Sequence, residues 1–447
     1  MRGLIILLLL LLAAFALFPQ PATAVWIPMG ASLDDRVWCI TTFDGDVIAG
    51  GDFLHSGETE VPHIARWDGV GWTPLGSGTD GAVGALAIYD GDLIVGGIFN
   101  HAGGVPADRL ARWDGSTWTS IGGGLDDEVR TLGVYNGDLI VGGNFSRAGG
   151  LPMRRIARWD GSSWSPLGSG LDHTPTSFAV YNGDLYACGF FMEAGGVPVY
   201  FIARWDGSAW HALNQIVGNT AIALAPYGRG LIVGGWFDRI GDLPYNYIAR
   251  WNGNLWSPLG SGTDGAVLCL CPYGEDLVAG GIFWHAGGIT LQSIARWNGT
   301  SWSDLEYGMN GGVYSLGVHE GDLIAGGSFT MAGNVHAFHI ALWRDPTSDS
   351  PSAPPAPISI AKAVPNPFCG ETRLDYSLPA SGPVVVTIHD VQGRTIATLV
   401  RGALSAGPHS LVWSGRDARG RELPSGRYLV RIASPAGEVT GGFVLTR

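Results

Sequence analysis

Ile64-Ala65-Arg66-Trp67-Asp68-Gly69 has close copies at one fixed interval along most of this 447-residue chain. Its tryptophan returns as Trp113, Trp159, Trp205, Trp251, Trp297 and Trp343, always 46 residues on. A second tryptophan keeps the same beat, as Trp26, Trp72, Trp118, Trp164, Trp210, Trp256 and Trp302. Fourteen of the 18 tryptophans therefore occupy two positions of a repeat that neither gains nor loses a residue. A period in the forties, with a tryptophan and a turn in every copy, means a toroid or solenoid of identical supersecondary units.

Within the copy that opens at Trp118, Val129 to Tyr135 alternates as a strand does, and Asn136-Gly137-Asp138 is a hairpin turn. Leu139 to Phe145 is nearly continuous apolar sequence, which predicts a strand buried on both faces. A longer loop, Ser146 to Arg155, leads to a third strand (Ile156 to Asp160), a tight turn and a fourth strand (Trp164 to Leu167). Four antiparallel strands per copy make one propeller blade. The register predicts how the ring closes: the chain opens on an orphan fourth strand (Val25 to Met29) and the last copy stops after a third (Ile340 to Arg344). Pairing the two completes a seventh blade and removes the exposed edges of an open array. Small residues at two alternate positions of the first strand, such as Ala85 and Ala87, suit inner strands, and the bulky residues between them (Leu86, Leu132, Phe178, Leu224) pack between blades. The arginines before the first tryptophan series (Arg66, Arg112, Arg158, Arg204, Arg250, Arg296) read as structural, stacking on aromatic faces.

The phrase Ile-Ala-Arg-Trp-Asp-Gly-Ser-Ser-Trp-Ser-Pro-Leu-Gly-Ser-Gly at 156–170 resembles the kelch-like β-propeller repeats of large secreted bacterial proteins. The resemblance covers residues 25–344 and implies the fold, not an activity, since propellers carry many functions. Composition agrees with many short strands and tight turns: 70 glycines, 15% charged and 11% aromatic residues. The expected fold class is all-β, a seven-bladed propeller followed by a small Ig-like sandwich.

Residues 1–24 read as a signal peptide, with Arg2, an apolar run from Leu4 to Leu12 and a small-residue cleavage site at Ala22-Thr23-Ala24. Its removal leaves no run of 18 apolar residues, so no membrane insertion is expected afterwards. The net charge is −13, and an acidic surface repels phosphate backbones, which excludes nucleic acid as an expected partner. The five cysteines show no Cys-x-x-Cys spacing, and Cys39 and Cys269, which share one repeat position, read as small core residues.

After Trp343 the composition changes. Residues 345–360 form a Pro/Ser-rich linker, and 361–447 carry candidate strands Arg373–Ser377, Val384–His389, Thr395–Val400, His409–Trp413, Tyr428–Ile432 and Val439–Leu445. So many short strands in so few residues read as an immunoglobulin-like sandwich. Asn366-Pro367-Phe368, Asp390-Val391-Gln392-Gly393-Arg394, Ala406-Gly407-Pro408-His409, Trp413 and Ser425-Gly426-Arg427-Tyr428 resemble two related modules. One is the Ig-like domain of flagellar hook-cap proteins, the other the type IX secretion sorting domain. The resemblance implies a secreted or cell-surface protein of a Gram-negative bacterium, with outer-membrane secretion machinery as a partner of the tail. The chain departs from the sorting pattern in lacking a lysine before its last strand.

In a repeat, a feature of every blade most economically serves the blade, so function is sought where symmetry breaks. Asp34, Asp80, Asp126, Asp172 and Asp264, with Asn310 and Gly218 in the other copies, read as turn formers rather than a calcium ring, as do Asp46, Asp92, Asp138, Asp184, Asp276 and Asp322. His55 and His101 have no third ligand fixed by spacing, and no metal or other cofactor is expected. Aromatics gather in three consecutive copies: Phe190, Tyr200 and Phe201, then Trp236, Tyr245 and Tyr247, then Trp284. With Arg239 among them, Phe190, Tyr200, Trp236, Tyr245 and Trp284 predict a one-sided surface for a glycan or protein ligand. The alternative is an extracellular polysaccharide hydrolase or lyase with acid–base work from Glu193, Asp238 or His285. No phosphate loop, nucleophile elbow or His-Glu-x-x-His accompanies them, and no loop changes length between copies, so a binding role is the expectation.

Overall fold

The computed structural model describes residues 24–447 apart from 216, 346–358, 365, 379–381, 392–393, 405–406, 418 and 435–436. The expected signal peptide, except its last residue, and most of the expected linker lie outside the described residues. No helix is long and apolar enough to cross a membrane among the described residues.

Every described element is a strand, and the strands before residue 345 form seven four-stranded antiparallel sheets. In the third of these, Val129–Tyr135, Asp138–Gly143, Ile156–Trp159 and Trp164–Ser165 pair in chain order. Asn136 and Gly137 turn the first pair with φ of 52° and 82°, the backbone a two-residue hairpin of this hand requires. The loop after the second strand also carries a small hairpin of its own, Arg147–Ala148 with Leu151–Pro152, repeated in all seven blades. Sequence patterning missed it because two residues are too few to show alternation.

The ends of the propeller meet as the register predicts. Val25–Pro28 pairs antiparallel with Ile340–Arg344, with Trp26 opposite Trp343. The inner strand of the first blade, Val37–Phe43, packs on that of the last, Val313–His319, so the sheets form a closed ring. Buried side chains fall into seven clusters between neighbouring blades, and the one that closes the ring joins Met29, Val37 and Phe53 to Ile324 and Ile340. The core of this fold lies between its blades.

Tryptophan fastens each interface. The two indoles of a blade sit 5.0–5.4 Å apart and tilted, from Trp67–Trp72 round to Trp26–Trp343. The fourth-strand indole also donates to a carbonyl of the preceding blade, as Trp118 does to Leu75 (2.9 Å) and Trp26 to Leu305 (2.8 Å). Trp256 finds no such acceptor among the described residues; its copy has Leu213-Asn214-Gln215 where others have a glycine-rich turn.

The arginines of the repeat are structural, but ion pairing rather than stacking is their rule. Arg66 meets Asp46 at 2.5 Å, Arg204 meets Asp184 at 3.0 Å and Arg296 meets Asp276 at 2.5 Å, each across to the start of the second strand. The aspartates expected only to form turns are thus cross-strand partners. Gly230 removes that partner in the fifth blade, and there Arg250 lies over Tyr227 at 5.6 Å. Burial pushes the Cys188 thiol well above its ordinary value, as suits a small core residue.

The tail is a sandwich of a three-stranded and a four-stranded sheet. All six expected strands are present, and a seventh, Ser359–Val364, lies partly inside the expected linker. Its Ala361-Lys362-Ala363 centre has low strand propensity and follows a proline-rich run, which hid it. Phe368, Trp413, Tyr428 and Phe443 make the sandwich core.

Candidate functional site at the channel mouth

The inner strands converge around a channel with two unlike ends. The hairpin turns (such as 136–137) and the turns between third and fourth strands lie at one end, the turn face. The blade-to-blade connections and the longer loops with their small hairpins lie at the other, the loop face.

On the loop face the repeated aspartates hold loops together. Asp80 Oδ1 accepts the amides of Asn100 (2.7 Å) and His101 (2.8 Å), so one carboxylate ties the incoming connection to the hairpin. Asp34, Asp126, Asp172 and Asp264 do the same, and Asn310 does it in the seventh blade. Burial pushes the pKa values of Asp34, Asp80, Asp126 and Asp264 up, but these amide and side-chain bonds outweigh it and hold all four carboxyls below the usual range. Their second oxygens take His55 (2.9 Å), His101 (2.8 Å), Ser146 (2.6 Å) and His285 (2.6 Å). These residues are staples, and the loop histidines are their partners; no group of three metal-type side chains occurs among the described residues.

The symmetry breaks most completely at a position between the loops and the inner strands. Every inner strand carries a β-bulge at its loop end, with the pairing register skipping Trp38, Gly84, Arg130, Thr176, Ile222, Leu268 and Tyr314. The bulge needs the glycine opposite: a Cβ on Gly97 would lie 2.1 Å from the Ala82 carbonyl oxygen. All seven skipped residues differ, and all seven line one cavity of ≈ 450 Å³.

Around it, Trp38 and Tyr314 stack at 4.7 Å and 16°, and Tyr314 Oη lies 2.9 Å from Ser328 Oγ. Arg36 pairs with Asp52 at 2.9 Å and lies over Trp38 at 5.1 Å. Arg130 Nε meets Glu128 at 2.7 Å, and the other Glu128 oxygen accepts the Asn144 amide at 2.8 Å. The cavity thus combines ion-paired arginines with apolar wall, the mixture typical of small binding sites. Sequence reasoning missed this ring because it searched the loops; the signal was a strand-end position that never repeats in an otherwise constant unit.

Of the expected ligand residues, Phe190 lines this cavity. Trp236, in the equivalent position of the next blade, and Trp284 are exposed on the same face at 47% and 64%. Arg239 is exposed beside Asp238 at 3.4 Å. Tyr200 is half-buried, with φ of 52°. Tyr245 does not belong to any surface: it is 6% exposed within the core between the fourth and fifth blades, where a large ring fills space that smaller residues leave elsewhere. The candidate acid–base residues are not brought together. Glu193 approaches Arg154 (3.9 Å), Asp238 pairs with Arg239 and His285 with Asp264, and none of the three lines the cavity.

The turn face is engaged by the tail. Arg427 of the sandwich reaches Asp138 Oδ1 at 2.7 Å and the carbonyls of Gly137 (3.0 Å) and Asp160 (3.2 Å). Arg158, the usual partner of Asp138, stands off at 3.6 Å.

Residues 368–438 match the FlgD Ig-like domain. Residues 90–113, within one blade, match a β-propeller domain of unknown function, DUF5122. The basal-body rod modification protein FlgD of Salmonella typhimurium is 39% identical over 54 residues, 12% of this chain and 23% of that protein. The chain therefore spans less than a quarter of the curated relative it matches. Among solved structures, PorZ, a surface component of the type-IX secretion system of Porphyromonas gingivalis, is 15% identical, with 93% of this chain and 60% of that one covered at a TM-score of 0.42. A fungal alcohol oxidase of the AA5 family, in complex with copper, is 12% identical over 95% of this chain and all of that one, with a TM-score of 0.43. The chain is a propeller scaffold with a C-terminal Ig-like domain, and no activity follows from either likeness.

Proposed function

We propose that this is an exported binding protein whose propeller presents a ligand, glycan or peptide, to the loop face, with the Ig-like domain serving export through outer-membrane secretion machinery to the cell surface or medium. The observation that carries the binding reading is the ring of seven non-repeating bulge residues around one cavity. A repeat kept constant in length and bonding has no structural need for seven different residues at one place. The leader-like residues 1–24 and the FlgD-type Ig-like segment support export. The tail's hold on the turn face leaves the loop face open.

Purified chain from residue 25 onward is applied to glycan and peptide arrays. Leu268→Arg at the mouth abolishes binding, while Val180→Arg, exposed at the turn end of an inner strand, leaves it intact. Equal loss from both, or from neither, removes the loop face as the ligand surface. Deleting residues 359–447 retains the propeller in the cell; unchanged appearance outside overturns the export role of the tail.

A further inference from the structure

The cavity at the channel mouth is divided, and the division narrows what it can hold. At the first and third blades it is polar. Arg36 is engaged through Nη2 by Asp52 and Arg130 through Nε by Glu128. The carboxylates lie deeper than the guanidiniums, with side-chain exposures of 23% and 13% against 47% and 55%. The cavity therefore meets guanidinium N–H edges whose charge is already balanced. Between these arginines the second blade contributes Gly84, where an added Cβ would touch only the Val129 carbonyl oxygen at 3.4 Å. The gap is one side chain wide.

The rest of this wall is apolar: Ile98 of the second blade, and Phe190, Ile222 and Leu268 of the fourth, fifth and sixth. The Thr176 hydroxyl is spent on the Ile222 carbonyl at 2.9 Å. Trp38, the largest aromatic group of the wall, has Tyr314 stacked on it and Arg36 over it, which leaves little flat face for a sugar ring. Of the remaining apolar wall Phe190 alone is a ring, with His173 tilted against it at 5.9 Å, and the aliphatic side chains offer no such platform. Phosphate, sulfate or uronate ligands favour cations without carboxylate partners, and here both arginines are paired on a chain of net charge −13.

We propose that the mouth seats an extended peptide segment of a partner protein, one large apolar side chain entering among Ile98, Ile222 and Leu268 while main-chain carbonyls accept from Arg36 and Arg130 across the Gly84 gap. Complementarity supports this occupant: neutral carbonyls spaced along a chain match balanced N–H donors, and the same chain supplies the apolar group. The inference rests on the loop face being the ligand surface.

The test sets an unbiased peptide array beside a panel of neutral and acidic oligosaccharides, using the chain from residue 25. Peptides with a central Leu, Ile, Met or Phe are retained, and replacing that residue by Ala weakens binding about ten-fold or more, as loss of a buried apolar side chain should. Gly84→Leu, which fills open space without a strained φ, abolishes retention. Arg130→Gln weakens it about ten-fold through a lost charged donor and serves as a second variant. Retention of sugars alone, lost in Gly84→Leu, overturns the peptide while the loop face stands. Peptide binding indifferent to Gly84→Leu but lost in Trp284→Ala moves the seat off the mouth. Absence of any ligand from both libraries overturns this inference and the binding function together.

Discussion

The two ends of the channel are built from the same seven inner strands, yet one end repeats and the other does not. On the turn face, aspartate and arginine pair the start of the second strand with the third in blade after blade; Gly230 removes the pair in the fifth, and Arg344 stands in for the repeat arginine, replaced by Leu342, in the seventh. On the loop face the staples recur, but the bulge inside them carries a different residue in each blade. The difference teaches where this fold can vary. A residue in the strand ladder must fit two neighbouring blades at once, whereas a bulged residue has no pairing partner and faces the channel, so it changes at little cost to the ring.

Closure is the largest test of that comparison, because both faces exist only while the ring is shut. Trp26→Ala removes a 4% exposed indole, its bond to Leu305 and its contact with Trp343. A loss of about 3–5 kcal/mol is expected from the urea midpoint, the range for large aromatic deletions in cores. A loss below about 1 kcal/mol, within the range of ordinary surface changes, would mean that the terminal strand does not hold the ring.

Arg427→Ala acts on the turn face alone. It breaks a charged bond of the kind that contributes about 1.5–3 kcal/mol, toward the lower end because Arg158 can take Asp138 back. The expected outcome is a tail released from the propeller, seen as a larger radius of gyration in solution scattering with an unchanged propeller melt. An unchanged radius would mean that other contacts dock the tail.

The loop face contains its own control for the third test. Asn310 accepts the same two amides as the aspartates do, so Asp80→Asn keeps those bonds and loses little, while Asp80→Ala leaves two donors unmatched and costs about 1–2 kcal/mol. Equal losses in thermal unfolding would falsify the staple role.

The smallest expected effect is the pH dependence. Carboxyls held below their unfolded values stabilise the fold fully above those values, near pH 4, and the contribution disappears as pH falls through the lower folded-state values. Denaturant midpoints should be level between pH 5 and 7 and fall below about pH 4, less steeply in Asp80→Asn. Identical acid slopes in Asp80→Asn and the parent would show that this staple does not contribute to the fall.

Much of this is legible in the sequence. The tryptophan beat gave the blade, and the orphan strand at Trp26 gave the closure, because register is arithmetic once the repeat length is constant. Trp236 and Trp284 break the symmetry in the sequence and are exposed in the fold. Tyr245 broke the same symmetry and is buried, since a sequence cannot tell an aromatic that fills a gap from one that faces water. The fifth blade shows the same limit: Gly218 and Gly230 are plain in the sequence, but that they delete a staple and an arginine partner follows only from what stands opposite them.

The repeat by itself determined the strands, their number per blade and the ring, because periodic burial and turn chemistry are local properties of the chain. Only the tertiary structure decided that Trp38, Arg130, Leu268 and Tyr314, spread over 276 residues, surround one cavity, and that Arg427 holds the third blade's turns at the opposite end. Convergence on an axis depends on how sheets twist and bulge against each other, and no single copy of the repeat contains that information.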